Sequence, residues 1–141
     1  MKLKNNKSGF TLLEIIIVII IVGVLASLAL PRFFSTVEYS RATEALNSLG
    51  VIRQAVVRCG LLDNSITLCG TFADLDISDP GLEPGSHFTY AIAVDTPATD
   101  DMTLTATRNI TEGGNLGDTI VLVVAAGGIT RTGSGAFASI K

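Results

Sequence analysis

Glu14 is the only charged side chain between Phe10 and Leu30, a run of 21 residues whose other non-aliphatic interruptions after Phe10 are Thr11, Gly23 and Ser27. An acid at the centre of an inserted helix costs about 2.5 to 3.5 kcal/mol on insertion scales, so a carboxylate there reads as a group that needs a counter-ion. The structural alternative is a side chain one turn from the membrane surface that snorkels to water. Elsewhere the chemistry-bearing residues are sparse. Cys59 and Cys69 lie ten apart, and Asp74, Asp76, Asp79 and Glu83 form an acidic cluster in sequence. The acids offer hard oxygen ligands of the kind calcium takes, but they lack the glycine and terminal glutamate of an EF-hand loop, and Leu75 and Ile77 between them suggest solvated acids; no metal is assigned. His87 has no carboxylate or cysteine within its own segment and reads as a surface histidine. Arg108 and Arg131 read as solvated strand-end arginines, and Asn109-Ile110-Thr111 as a chance match to a glycosylation pattern.

Composition narrows the field further. The chain has 141 residues, 10 bases, 13 acids, 48% apolar and 16% charged residues, with a mean hydropathy of +0.51 and a pI near 5.0. Charged content lies below the roughly 25% of soluble domains while apolar content is ordinary, so the excess hydropathy is local, at the front. A formal charge of -3 gives no footprint for phosphate backbones, and nucleic-acid binding is not expected. One histidine and two cysteines are too few for a histidine-built triad or a conventional zinc site. Neither an enzyme nor a cofactor is expected.

The apolar run must position Glu14. As a helix it is roughly 31 Å long at about 1.5 Å per residue, matching the ~30 Å hydrocarbon core of a bilayer. Lys2, Lys4 and Lys7 precede it and Arg32 alone follows closely, which places the N-terminus in the cytoplasm and the remainder outside. Three fates compete: an uncleaved anchor, a leader cut before the apolar run, and a signal peptide cut before Leu30, for which Ser27-Leu28-Ala29 offers small residues at the two positions read. Glu14 argues against the last, because a discarded apolar segment has no evident use for an acid.

The residues Lys7-Ser8-Gly9-Phe10-Thr11-Leu12-Leu13-Glu14, followed by an Ile/Val run and Pro31, resemble the leader of type IV prepilins and type II secretion pseudopilins. The direct resemblance covers residues 1 to about 60. It implies that a membrane-embedded prepilin peptidase cuts between Gly9 and Phe10 and methylates the new amine of Phe10, while the helix stays in the membrane. Cutting there discards the three leader lysines and leaves 7 bases against 13 acids, a formal charge of -6. The ammonium created at Phe10 is one helical turn from Glu14, so its own amine or a neighbour's could neutralise the carboxylate. In a staggered bundle, Glu14 of an incoming subunit would reach the amine of the subunit ahead, giving assembly both a register and a driving force.

Beyond the apolar run, Pro31 removes a backbone donor and is expected to kink the helix without ending it. Phe34, Val37, Ala42, Ala45, Leu46, Leu49, Ile52, Ala55, Val56 and Cys59 recur at spacings of three and four, the stripe of an amphipathic helix. Gly60 is the expected terminator. Ser35 with Glu38 offers a capping box that would start a separate helix, but one helix continuous through the kink is favoured. Residues 61–87 show no period and read as loop, with one short turn near Phe72 to Leu75. Phe88 to Val94 and Met102 to Ala106 alternate as strands, Thr119 to Ala126 is a β-branched run, Gly127-Gly128 suits a two-residue turn, and Ile129 to Thr132 can return.

The expected organisation is therefore α+β: a leader at 1–9, a transmembrane and filament-core helix at 10–30, its amphipathic continuation at 31–60, a loop region at 61–87, and a three- or four-stranded antiparallel sheet at 88–141 packed on the C-terminal half of a long kinked helix, the pilin-like layout. Cys59 and Cys69, in an exported domain, are expected to form a disulfide, with two buried free thiols as the alternative; many pilins place theirs nearer the C-terminus. The resemblance implies a structural subunit that forms a homo- or hetero-polymer with other pilin-like subunits. It also implies a prepilin peptidase, an inner-membrane assembly platform and an ATPase machinery as partners. Before assembly the chain would sit in the inner membrane, afterwards in a periplasmic pseudopilus or an extracellular pilus. The rival from another class is a secreted binding module released before Leu30.

Overall fold

Ala42, Ala45, Leu49, Ile52, Val56 and Cys59 follow one another at steps of three and four, so a helix presents all six on one side; in the computed structural model all six are buried. The structure describes residues 9–94, 101–109 and 115–140. The helix that carries this stripe, α1, runs Leu12–Asp63 with Pro31 inside it. Four strands follow: β1, Phe88–Val94; β2, Met102–Arg108; β3, Thr119–Ala125; and β4, Gly128–Gly133. The chain divides into a unit ending at Thr36 and a unit beginning at Val37.

Within the first unit, Thr11 caps α1: the Glu14 amide donates to Thr11 Oγ1 at 3.3 Å and to Thr11 O at 3.1 Å. Ser35 Oγ and Thr36 Oγ1 both donate to the carbonyl of Arg32, at 2.8 and 3.0 Å. Ser35 thus bonds back into the helix and starts no new one, in line with the continuous helix favoured from sequence.

In the second unit the strands form one antiparallel sheet in the order β1-β2-β3-β4. Phe88 pairs Arg108, Leu104 pairs both Ile92 and Leu122, and Val124 pairs Ile129. Period-two alternation puts Phe88, Tyr90, Met102, Leu104, Ala106, Ile120 and Leu122 in one buried cluster with the helix stripe. The segment between α1 and β1 holds three short 3-10 turns, at Ile66–Leu68, Phe72–Asp74 and Pro80–Leu82.

Three boundaries differ from expectation. The helix passes Gly60 and ends at Asp63, where Asn64 takes the left-handed backbone (φ 56°) that stops it. Gly60 is instead buried, and a Cβ there would collide with Ile66 Cγ2, so its smallness serves close packing. The hairpin turn is Ala126-Gly127, since Ala125 already pairs Gly128, which has φ 124°. Finally, a C-terminal 3-10 turn, Gly135–Phe137, inserts Phe137 and Ile140 into the core, a closure that strand alternation does not announce. The proposed joint across Thr96 to Asp101 lies mostly outside the described residues.

Candidate functional site

The first unit holds Gly9, Phe10 and Glu14, the residues expected from sequence to serve processing and assembly, in one short stretch. Gly9 and Phe10 precede the helix, both exposed, with Phe10 at 78%, and a side chain at Gly9 would meet nothing. Glu14 sits in the first turn of α1, beside the unpaired backbone amides where the helix dipole favours an anion. The capping role of Thr11 has a sequence signal, Thr-x-x-Glu ahead of an apolar run. Every residue from Gly9 to Thr36 is exposed, and α1 contains a stretch long and apolar enough to cross a membrane. Lys2, Lys4, Lys7 and Ser8 lie outside the described residues.

In the second unit the structure corrects the reading of Arg108 as a solvated arginine. Its side chain is wholly buried. Nε donates to Glu38 Oε2 at 3.0 Å and Nη2 to Glu38 Oε1 at 3.3 Å, a two-pronged pair between β2 and α1. Nη1 donates to the His87 carbonyl at 2.9 Å and the Asn109 carbonyl at 3.2 Å, and the guanidinium lies 5.7 Å from the Phe88 ring centroid. Arg41 Nη1 also donates to Glu38 Oε1, at 2.7 Å. Burial by itself would push the Glu38 carboxyl up, but the hydrogen bonds and charges of Arg108 and Arg41 outweigh it and hold the group below its ordinary value. The signal for this pair was present in the sequence: Arg108 continues the inward phase of Met102, Leu104 and Ala106, and Glu38 stands four residues before Ala42 on the buried stripe.

His87 also has a partner that sequence proximity hides. Its Nδ1 lies 3.0 Å from Glu44 Oε2, so the isolated surface histidine expected above is instead joined to the helix. Arg131 is exposed, as expected. The acids proposed for calcium are engaged separately: Asp76 pairs with Arg58 at 2.8 and 2.9 Å, Asp74 accepts from Thr71 Oγ1 at 2.6 Å, and Asp79 accepts from the Gly81 amide at 2.8 Å. The structure does not draw these three carboxylates into a common cluster.

Cys59 and Cys69 are joined by a disulfide, with Asp63 beside it. The bridge ties the last turns of α1 to the loop, where Ser65 caps a 3-10 turn by accepting from the Thr67 amide at 3.3 Å. A closed loop of this size stabilises by about 2 to 3 kcal/mol on the chain-entropy account. Replacing both cysteines by serine is expected to lower the unfolding free energy of the detergent-solubilised chain by that amount, read from urea denaturation. The wild type under reducing conditions should lose a similar amount and the double variant nothing more.

Comparison with known proteins agrees with these features. The prokaryotic N-terminal methylation motif matches residues 4–30. The chain is similar to a probable minor fimbrial protein of Dichelobacter nodosus, 36% identical over 113 residues covering 72% of this chain and 70% of that protein. It is 36% identical over 61 residues to the type IV major fimbrial protein FimA of the same organism, covering 43% of this chain and 38% of FimA. It is also 31% identical over 81 residues to type II secretion system core protein G of Aeromonas hydrophila, 57% of each chain. The FimA match thus spans well under half of that relative's length. With an extended match to one fimbrial protein, the methylation motif at the N-terminus and the helix-plus-sheet fold all agreeing, the chain belongs to the type IV pilin and pseudopilin family.

Proposed function

We propose that the chain is a structural subunit of a type IV pilus or a type II secretion pseudopilus, held in the membrane by the apolar part of α1 and polymerised through it. The observation that carries this reading is the uncovered apolar part of α1, whose one acid, Glu14, stands in the first turn of the helix just after an exposed Gly9-Phe10 junction. An apolar surface of that length needs either lipid or neighbouring helices, and head-to-tail contacts that do not close into a ring convert the second into a fibre. A prepilin peptidase cuts between Gly9 and Phe10 and methylates Phe10; an assembly platform and its ATPase move the helix from lipid to fibre. Pro31, inside α1, loosens the helix at the change from apolar to amphipathic sequence. The precursor spans the inner membrane with its N-terminus in the cytoplasm, and no catalytic role is assigned to its residues.

The secreted-module reading requires a cut before Leu30, in the middle of α1. Membership of the pilin family favours the earlier junction. Substituting Gly9→Val places a branched side chain at the cleaved bond. It is expected to leave the chain uncut in the membrane fraction, still beginning at Met1, and absent from fibres. Normal processing of that variant, or a product beginning at Leu30, would count against the proposal.

A further inference from the structure

Thr11 stands at the boundary between two conformations of the chain. The first bond of the α-helical ladder runs from the Ile15 amide to the Thr11 carbonyl, at 3.3 Å. The Glu14 amide is held by that carbonyl at 3.1 Å and by Thr11 Oγ1 at 3.3 Å. Helix α1 therefore starts at Leu12, and Gly9, Phe10 and Thr11 precede it in non-helical chain. A side chain at Gly9 would meet nothing, so the fold makes no use of the smallness of this glycine, and Phe10 is 78% exposed.

The start at Leu12 depends on the chemistry of position 11. A helix once begun grows by one bond per residue, and the next two residues upstream, Gly9 and Ser8, both belong to the types that begin helices. A helix begun at either one gives the Gly9 carbonyl to the Leu13 amide, and that carbonyl belongs to the bond a cut between Gly9 and Phe10 must open. Threonine opposes this growth twice. Its branched side chain is a poor interior helix residue, and its hydroxyl oxygen stabilises a helix that starts just after it. Alanine would do the reverse, having the highest helix propensity and no capping oxygen.

We propose that Thr11 is a positioning residue for the processing step: by capping α1 it keeps the Gly9 carbonyl out of the helix and holds the Gly9-Phe10 bond in open chain for the prepilin peptidase. The inference rests on the processing proposed above. In that step water adds across the amide, leaving a carboxylate on Gly9 and an amine on Phe10. Proteolysis acts on the open form of a chain, so an equilibrium with a helical form that engages this carbonyl lowers the competent fraction. A smaller competent fraction raises the apparent KM in proportion and leaves kcat unchanged.

Cleavage of the full-length chain by detergent-solubilised membranes that contain prepilin peptidase tests this. Thr11→Ala is expected to raise KM about fivefold at unchanged kcat, which is about 1 kcal/mol at roughly 1.4 kcal/mol per tenfold, the size of a typical cap. Hydrogen exchange of the Leu13 amide should slow in the same variant, as that amide gains the Gly9 carbonyl. Thr11→Ser and Thr11→Asn keep a capping oxygen. Thr11→Gly has no hydroxyl, yet it caps nearly as well as threonine and resists helix growth, so all three are expected to stay within about twofold of wild type.

An alanine variant with wild-type KM, or with a raised KM and unchanged Leu13 exchange, overturns the proposal. So does a glycine variant as slow as alanine, or a fall in kcat, either of which would place the Thr11 hydroxyl in contact with the peptidase. A wild-type chain that is not cut between Gly9 and Phe10 refutes the processing reading itself, before any variant is compared, and removes this inference with it.

Discussion

Glu14→Ala is expected to reduce incorporation of the chain into fibres by about 100-fold while leaving folding, membrane insertion and cleavage intact. In the proposed bundle the amine of Phe10 and the carboxylate of Glu14 would have no water, and removing one member of a buried ion pair leaves the other uncompensated at a cost of about 3 kcal/mol or more. The loss falls on assembly because in the precursor the helix dipole and the bilayer surface each offer the acid some relief. Charge is the variable that decides it. Glu14→Gln, which keeps the shape, is expected to fail as alanine does, while Glu14→Asp retains a measurable fraction of assembly. Fibre yield read by shearing and immunoblot distinguishes these cases, and wild-type yield from the glutamine variant would break the link between charge and entry.

Arg108→Met is expected to lower the stability of the second unit by about 2 to 3 kcal/mol. A buried pair broken from one side typically costs about 3 to 5 kcal/mol; here the smaller figure applies because Glu38 keeps Arg41 at 2.7 Å and is 18% exposed. The methionine fills the space beside Phe88 but leaves the His87 and Asn109 carbonyls without the Nη1 donor. The pH dependence gives a second readout. Folding holds the Glu38 carboxyl below its ordinary value, so the stability from its pairing is fully present above the unfolded value and is lost as pH falls through the lowered folded one. The difference between wild type and Arg108→Met should therefore be widest near neutral pH and shrink in acid. Urea denaturation at a series of pH values measures it, and a difference independent of pH would assign the cost to packing alone.

Where one face of an element is buried and the other wet, period alone locates the residues, which is why the α1 stripe from Ala42 to Cys59 and the alternation of β1 and β2 were legible. The Glu38–Arg108 pair was only half legible: each residue keeps the inward phase of its own element, but a strand-end arginine is ordinarily solvated and nothing local joins it to a partner 70 residues away in sequence. Gly60 misled for a related reason: glycine ends helices by taking positive φ, but it also lets a loop approach, and only the position of Ile66 decides between the two. The C-terminal closure depends on tertiary bonds, with Asp118 Oδ2 accepting from the Ala136 amide at 2.9 Å and Ser134 Oγ accepting from Thr119 at 2.9 Å, that no local period encodes. The proposed processing segment is the opposite case, since a peptidase acting before assembly would have to find its bond in a short run of consecutive residues.

The intact mass of the mature chain, recovered from sheared fibres for a pilus or from the cell envelope for a pseudopilus, tests the whole account most directly. A polypeptide that begins at Phe10 and carries one methyl group on its amine is the expected product. Recovery of a chain that begins at Met1 or Leu30 would contradict it.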